Sequence, residues 1–549
     1  MAEALLSGFI NVVLERLISR EFVNLVVGKK LDRKLVDRLK TAILAAKALA
    51  ADAEQKQFGN ELVREWLDSL KDALYTADDL LDRVFIKAQI RSKTRIHRPG
   101  FLDLFSELGE KKERSILTRH LLFDRSIQLT KLPGSLGELI NLRYLHLSGS
   151  AVETLPESLC NLCNLQTLKL AGCSKLTILP NDMYKLMNLR HLDIWGTPLK
   201  EMPKGMGKLK QLHTLSKFVV GKQEDNVIQE LGGLLNLHGS LTIQKLENVV
   251  DGNEARRARI IDKKHVDEVL LEWSLSSGDD MVSNTHTDEQ DILGGLQPHT
   301  GLKKLSVCGY KGKIFPDWMG HSLYQNMTSV SLQYCWNCCV LPSLGQLPSL
   351  KSLSIHGFRQ LKRIGKEFYK NEGDQHSSPI APFPSLERMQ FHDMPCWEES
   401  PEGGLPTNLK ELRVGGCEEQ VRGVSWLGNL DNLTHLFING FGCKSIKSYP
   451  EVGSLPRLPS LTTLEIRSFH NLETLECNEL LRLTSLQELH NSLCHKLENI
   501  AGEKLPPSLL LLQIDNCHLL GKHCKNKHQQ IWSKISHIPT IQVDDDQIF

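Results

Sequence analysis

A six-residue frame of leucines, LxxLxL, recurs along most of this sequence at a nearly constant spacing. With Ile, Val, Met or Phe accepted in place of Leu, four frames begin 23 or 24 residues apart, at Leu142, Leu165, Leu189 and Leu212. Two degenerate frames follow at His238 and Val266, and nine more begin at Leu302, Met327, Leu350, Leu386, Leu409, Leu433, Leu461, Leu486 and Leu509. Only Lys217 and Asn491 break the sixth position. A unit this short cannot bury its own leucines, so the units must stack on one another.

The frame predicts where each side chain points. Because side chains alternate across a strand, the first, fourth and sixth positions point inward, and the third and fifth point outward. Each repeat then supplies one short parallel strand, and pairs such as Leu155-Pro156 start a turn on the opposite side, because proline fixes φ. We therefore expect a solenoid of about fifteen leucine-rich repeats over residues 119–549, with its strands on the concave face. The polar segments 274–290 and 370–380 are expected to be extruded loops.

The first ninety residues have a different character. Residues 1–90 lack the frame, and apolar residues between positions 62 and 84 follow steps of three and four, which is typical of an amphipathic helix. Helices joined by short loops pack antiparallel, so we expect a helical bundle here and a linker over residues 91–118. The fold class is therefore α+β and multidomain, a bundle followed by a solenoid.

Composition and motifs argue against several functions. Lys and Arg number 66 and Asp and Glu 65, so no net field favours nucleic acid. No Gly-Lys pair is followed by Ser or Thr, as a phosphate-binding loop requires, and no histidine joins a nucleophile in a local catalytic signature. We expect a cytoplasmic protein that is not an enzyme and that holds no cofactor and no metal. Five of the fourteen cysteines lie three residues after a frame, where such repeats place Asn or Cys to finish the strand: Cys173, Cys335, Cys417, Cys494 and Cys517.

The outward positions carry a mixture of charged and aromatic residues, as a protein-binding face would. A generic solvated strand face is the alternative interpretation. The candidate interaction residues on this face are Tyr144, His146, Lys169, His191, Asp193, Arg413 and Phe437, with Lys304, Arg388 and Glu465 in the same pattern.

Particular segments resemble a known family. Segments 39–57 and 63–84 resemble the Rx-type N-terminal domain of plant coiled-coil nucleotide-binding leucine-rich-repeat receptors, with Asp78, Asp79 and Asp82 in the place of the family's acidic motif. Segments 237–249, 254–274 and 309–319 are similar to phrases from the solenoid of these receptors. The resemblance implies a disease-resistance-like protein of innate immunity. Its repeats would recognise a pathogen effector or a guarded host protein, and its bundle would dock a signalling partner.

One departure from the family is large. The family has a nucleotide-binding domain between bundle and solenoid, whereas here only about thirty residues separate them. A nucleotide-dependent ATPase switch is therefore disfavoured. The alternatives that stay open are a truncated decoy, adaptor or modulator of full-length immune receptors, and a non-functional gene product. A ubiquitin-ligase substrate receptor would need an F-box-like bundle in place of the Rx-type segments.

The resemblance also implies a contact within the chain. In the resembling receptors the acidic motif contacts arginines at the start of the solenoid, and here Arg143 and Arg190 follow the first leucine of their frames. We therefore hypothesise a clasp between Asp78, Asp79 and Asp82 and these two arginines. A first helix is expected over roughly residues 3–19, and it is apolar over more than half of its surface. This leaves peripheral association with membranes as a further alternative to packing in the bundle.

Overall fold

A computed structural model describes residues 120–122, 129–222, 228–275, 288–369, 381–399, 401–428 and 430–548. All of them belong to one compact unit, Phe105–Phe549. The predicted bundle at 1–90 and linker at 91–118 lie outside the described residues. Asp78, Asp79 and Asp82 lie outside them as well, so the proposed clasp stays a hypothesis.

The predicted repeats are confirmed as a stack of parallel strands in two main sheets. The first sheet contains β1 (His120–Leu122), β2 (Tyr144–His146), β3 (Thr167–Lys169), β4 (His191–Asp193) and β5 (Thr214–Leu215). The second sheet begins with β6 (Lys217–Val219), β7 (His238–Gln244), β8 (His265–Glu272), β9 (Lys304–Cys308), β10 (Ser329–Gln333), β11 (Ser352–His356), β12 (Arg388–His392), β13 (Glu411–Gly415) and β14 (His435–Asn439).

Three short strands of the C-terminal half form a separate parallel sheet: β15 (Ser448–Tyr449), β17 (Thr474–Glu476) and β19 (Asn499–Ala501). The second main sheet continues after β14 with β16 (Thr463–Arg467), β18 (Glu488–Ser492), β20 (Leu511–Asp515), β21 (Thr540–Val543) and β22 (Asp546–Gln547). Strand β22 pairs antiparallel with β21 and so covers the last strand edge of the stack.

The leucines of successive frames lie opposite one another. Leu145 pairs with Leu168, and Leu168 with Leu192, and all three are fully buried. Burying such a side chain is worth roughly 1.5–3 kcal/mol, and only the neighbouring repeats can provide the cover. The core is therefore one continuous column of frame residues along the stack.

Short helices complete the repeats on the side away from the strands. The Leu-Pro turns lead into single turns of 3-10 helix, such as Glu157–Asn161, which begins after Pro156. Among the described residues the α-helices are α1 (Gly252–Arg257), α2 (Asp288–Gly295), α3 (Glu418–Arg422), α4 (Cys477–Leu480), α5 (His518–Lys525) and α6 (Gln529–Ile535). Helix α2 starts inside the segment predicted as a loop at 274–290, so that loop ends earlier than expected. The rest of this insertion, 276–287, and the insertion at 370–380 lie outside the described residues.

The frame assigned to His238 was wrong at its first position, whereas its fourth and sixth positions, Leu241 and Ile243, are buried as predicted. Leu237 is buried, whereas His238 is half-buried, so Leu237 takes the first inward position. The extra residue is absorbed where the register shifts between Gly239 and Ser240, and Gly239 has a φ of 77°. A glycine adopts this conformation without steric cost, which allows the irregularity in the strand.

The two main sheets meet inside one repeat, at the frame that contains Lys217. Strand β5 ends at Leu215 and β6 begins at Lys217, and the amide of Ile194 donates to the hydroxyl of Ser216 at 2.8 Å. Lys217 is buried, and its ammonium donates to the carbonyl of Thr197 at 2.5 Å. A lysine in an inward position thus coincides with the interruption of the strand ladder.

Candidate protein-recognition surface

The third and fifth residues of each frame form what we call the open face of the sheets. On β2 and β4 the middle leucine is buried, whereas the flanking residues are half-buried, which is the predicted alternation. This places Tyr144 and His146 on β2, Lys169 on β3, and His191 and Asp193 on β4, all on the open face.

Two aromatic contacts organise the start of this face. The rings of Tyr144 and His146 meet edge to face with centroids 6.3 Å apart, and the ammonium of Lys169 lies 5.8 Å from the centroid of Tyr144. The structure thus brings together three of the predicted residues from neighbouring repeats. The imidazole of His191 lies 3.0 Å from the hydroxyl of Thr214 on the next strand.

Arg143 and Arg190 occupy the second position of their frames, at the entrance to β2 and β4. Backbone hydrogen bonds link them through Gln166, because the Arg143 carbonyl accepts from Gln166 and the Gln166 carbonyl accepts from Arg190, each at 2.8 Å. The two half-buried arginines therefore stand in one column, two repeats apart, as predicted.

A column of four histidines that begins with His191 on the open face was not recognised from the sequence. The ring centroids of His191 and His213 are 6.2 Å apart, those of His213 and His238 5.4 Å, and those of His238 and His265 4.5 Å. Burial lowers the pKa of His213 to about 4, with the neighbouring histidines and Arg190 acting in the same direction. The imidazole of His213 is therefore neutral at physiological pH. Regular histidine spacing was the available signal, but the frame shift at His238 concealed it.

A hollow of roughly 210 Å³ lies on the open face across β12, β13, β14 and β16. Three residues predicted on the open face line it, Arg413, Phe437 and Glu465, and the guanidinium carbon of Arg413 lies 3.9 Å from the centroid of the Phe437 ring. The Nε of Arg413 also donates to Glu411 at 2.6 Å. Seven further residues line the hollow: Gln390, Phe391, His392, Val414, Ile438, Asn439 and Arg467.

Sequence reasoning found only part of this hollow. His392, Asn439 and Arg467 each stand one residue after the six-residue frame, at a seventh position that the frame does not include. These residues end their strands and still point to the open side, so the side-chain alternation continues past the frame. Extending the two-residue period by one step would have identified them.

The cysteines that follow the frames are buried in the packed interior of the repeats. Cys173 and Cys417 are buried, and their thiols donate to the carbonyls of Leu147 at 3.1 Å and Gly415 at 3.3 Å. Burial raises the pKa of Cys417 to about 12, which disfavours the thiolate that binds metals. In the part of the chain that the structure describes, no group of three or more His, Cys, Asp or Glu is placed to hold a metal ion. Within the same residues, no helix combines the length and apolar character needed to cross a bilayer.

Two family models match segments of this chain. Residues 6–120 match the family model of the Rx N-terminal domain, and residues 228–358 match that of the R13L1/DRL21 leucine-rich repeats. Among solved structures, a leucine-rich-repeat protein of Leptospira interrogans aligns over 74% of this chain and 81% of its own, with 19% identity and a TM-score of 0.33.

Curated relatives extend the match to most of the chain. A candidate disease resistance protein of Arabidopsis thaliana, RPP13-like protein 1, is 40% identical over 69% of this chain and 36% of its own length. A second Arabidopsis candidate disease resistance protein, At3g14460, is 44% identical over 53% of this chain and 21% of its own. Disease resistance protein RGA2 of Solanum bulbocastanum is 33% identical over 43% of this chain and 26% of its own length. The chain thus covers no more than 36% of the length of any of these three relatives. It belongs to the family of plant coiled-coil nucleotide-binding leucine-rich-repeat disease-resistance proteins.

Proposed function

We propose that this protein recognises another protein through the open face of its leucine-rich repeats, as part of plant defence. The observation that carries the proposal is the stack of Arg413 on Phe437 in a hollow of that face. Arginine and aromatic residues are enriched at the centres of protein interfaces, where they provide most of the binding energy. The partner is a pathogen effector or a host protein that the pathogen targets.

The other parts of the proposal rest on the family. The Rx-type region docks a second protein, and full-length immune receptors are candidates for this partner. We assign the protein to the cytoplasm on its resemblance to intracellular receptors, and we expect no enzymatic activity. Membership in a disease-resistance family supports the general role, because the relatives are named for it.

Site-specific photo-crosslinking in leaf tissue tests the proposal. Benzoylphenylalanine is placed at Gln390 on the open face, or at Val452, which is 87% exposed beside the β15–β17–β19 sheet. We expect a discrete protein adduct from position 390 after pathogen challenge and none from position 452. Adducts from position 452 alone, or the same adducts from both positions, would contradict recognition by the open face.

A further inference from the structure

We propose that the hollow on β12, β13, β14 and β16 is an anchor site for a single acidic side chain of the partner protein. An apolar or aromatic neighbour of that side chain lies against Phe437. This inference rests on the proposed function, because it names the chemistry of the partner that the open face would bind.

The size of the hollow limits what it can hold. Beside it, Gly415 stands at the seventh position of its frame, paired with His392 on one side and Asn439 on the other. A Cβ atom at position 415 would lie 2.7 Å from the Cβ of Asn439 and 3.0 Å from the Cδ2 of His392. The neighbouring side chains thus close over Gly415, which is buried, and the hollow is lined by the residues around it. At roughly 210 Å³ the hollow is smaller than the 300–1,000 Å³ of typical small-molecule pockets, so it suits one side chain rather than a metabolite.

The cationic groups of the hollow are available for an anion. A guanidinium has five N–H donors, and the hydrogen bond to Glu411 uses only the Nε donor of Arg413. Stacking on Phe437 holds the plane of this guanidinium without using its edge. Arg467 is exposed, and no carboxylate among the described residues lies within 4 Å of it. A planar fork of this kind matches the two oxygens of a carboxylate.

Some other cations of this sheet are already matched. Lys304 pairs with Glu268 across neighbouring strands, and the ammonium of Lys410 lies 3.3 Å from Glu387. Arg388 on β12 is exposed and, among the described residues, has no carboxylate within 4 Å, but it lies outside the hollow, whereas Arg467 lines the hollow together with Arg413 and Phe437. An interface contact to a charged group that lacks a partner in the free protein gains the full attraction without first breaking an ion pair.

Glu465 sets the charge that the hollow can accept. It lines the hollow on the same strand as Arg467, and Glu411 is already paired with Arg413, so two carboxylates offset the two guanidiniums. Burial lowers the pKa of His392 from its ordinary value, so this imidazole adds no positive charge at neutral pH. A single carboxylate matches the one guanidinium that lacks an ion-pair partner among the described residues, that of Arg467, whereas the dianion of a phosphorylated side chain would be repelled by Glu465.

The approach to the hollow is open on one side. The open-face positions of β10 and β11 are short side chains, Ser329, Ser331, Ser352 and Ser354. They leave room for the rest of a peptide segment to lie across the strands toward β12. The segment that fits is extended, with its acidic residue at the hollow and its apolar neighbour against Phe437.

Selection of displayed random peptides on the intact protein tests this inference. The double variant Arg413→Gln/Arg467→Gln removes both guanidiniums, and Arg457→Gln is the matched control, because Arg457 is an exposed arginine shortly before the frame that contains Arg467 and lies outside the hollow. Circular dichroism and the thermal unfolding midpoint show that each variant keeps the fold. Synthetic peptides from the selection are then measured with their acidic residue intact, replaced by the matching amide, or replaced by phosphoserine.

We expect selected peptides with Asp or Glu beside an aromatic or leucine residue. Their affinity should fall about tenfold or more in the double variant and with the amide or phosphoserine peptides, and stay within about twofold in Arg457→Gln. Peptides without an acidic preference, tighter binding of the phosphoserine form, or equal binding to the double variant would overturn the inference. Such results leave protein recognition intact if the crosslinks form from position 390, whereas loss of those crosslinks contradicts recognition itself.

Discussion

The ammonium of Lys263 donates a hydrogen bond to the carbonyl oxygen of Leu231 at 2.7 Å, inside the stack of repeats. It also donates to the carbonyl of Leu234 at 2.9 Å, and Lys263 is 0% exposed. Burial lowers its pKa from 10.5 to about 8, with Arg259 acting in the same direction. The folded protein therefore releases this proton at a lower pH than the unfolded chain does.

This difference predicts how stability depends on pH. Between about pH 8 and pH 10.5 the unfolded state holds more protons at this site, so the site's contribution to the free energy of unfolding rises with pH. The rise is at most about 1.4 kcal/mol per pH unit. We expect the free energy of unfolding of the wild type to rise relative to that of Lys263→Met as the pH increases. Urea unfolding of both proteins across this pH range measures the difference. Parallel curves for the two proteins would show that Lys263 has an ordinary pKa.

Asn491 predicts a stabilising substitution. It occupies an inward sixth position and is 1% exposed, and within the described residues neither its Oδ1 nor its Nδ2 has a hydrogen-bond partner. An unsatisfied buried polar group costs roughly 1–3 kcal/mol, so Asn491→Leu should raise the free energy of unfolding by about that amount. Ile514→Asn, at the same frame position in the next repeat, is the converse control and should lower it. A loss of stability in Asn491→Leu would mean that the amide has a partner in solution.

Thiol reactivity should follow burial. Cys163 and Cys339 are exposed, whereas Cys417 is buried with a pKa raised to about 12. Because the thiolate is the nucleophile, we expect iodoacetamide to label the two exposed cysteines of the native protein first and Cys417 only after unfolding. Mass spectrometry of peptides after timed labelling measures this, and labelling in denaturant is the control. Equal native rates at Cys163 and Cys417 would contradict the burial of the repeat cysteines.

The missing phosphate-binding motif gives a prediction about nucleotides. Because no Gly-Lys pair in the chain is followed by Ser or Thr, we expect no saturable binding of ADP or ATP. Calorimetric titration with each nucleotide and magnesium measures this. Micromolar binding at one site per chain would show that nucleotide is held without the family's motif.

Much of the repeat architecture follows from the sequence, for a physical reason. A leucine at positions one, four and six requires an inward strand face, so frames such as Leu165 and Leu189 predict both the strands and their register. The same reasoning failed at the first position of the His238 frame, because the one-residue irregularity at Gly239 puts Leu237 in the inward position, whereas Leu241 and Ile243 are buried as predicted. The frames also did not predict the break between the two sheets at Ser216, because this break depends on hydrogen bonds rather than on the hydrophobic period.

The candidate site was less predictable than the fold. The alternation placed Arg413 and Phe437 on one face, but it could not show that the two side chains stack. That contact depends on the offset between neighbouring strands, which brings Arg413 opposite Phe437. The frames also could not show that Gly415 lets His392 and Asn439 approach closely beside the hollow, where a Cβ atom would lie 2.7 Å from the Cβ of Asn439.

Two phenylalanines of one repeat allow the most direct test of the central claim, that the open face recognises the partner. Phe437 lies in the hollow on β14, whereas Phe441 is 60% exposed in the turn after that strand and contacts His470. The measurement is the yield of the adduct from benzoylphenylalanine at position 390 in leaf tissue, in Phe437→Ala and Phe441→Ala backgrounds at equal protein levels. We predict about a tenfold or greater loss of adduct in Phe437→Ala, as expected for an interface anchor, and near wild-type yield in Phe441→Ala. Equal yields in both backgrounds, or a loss only in Phe441→Ala, would contradict recognition through the open face.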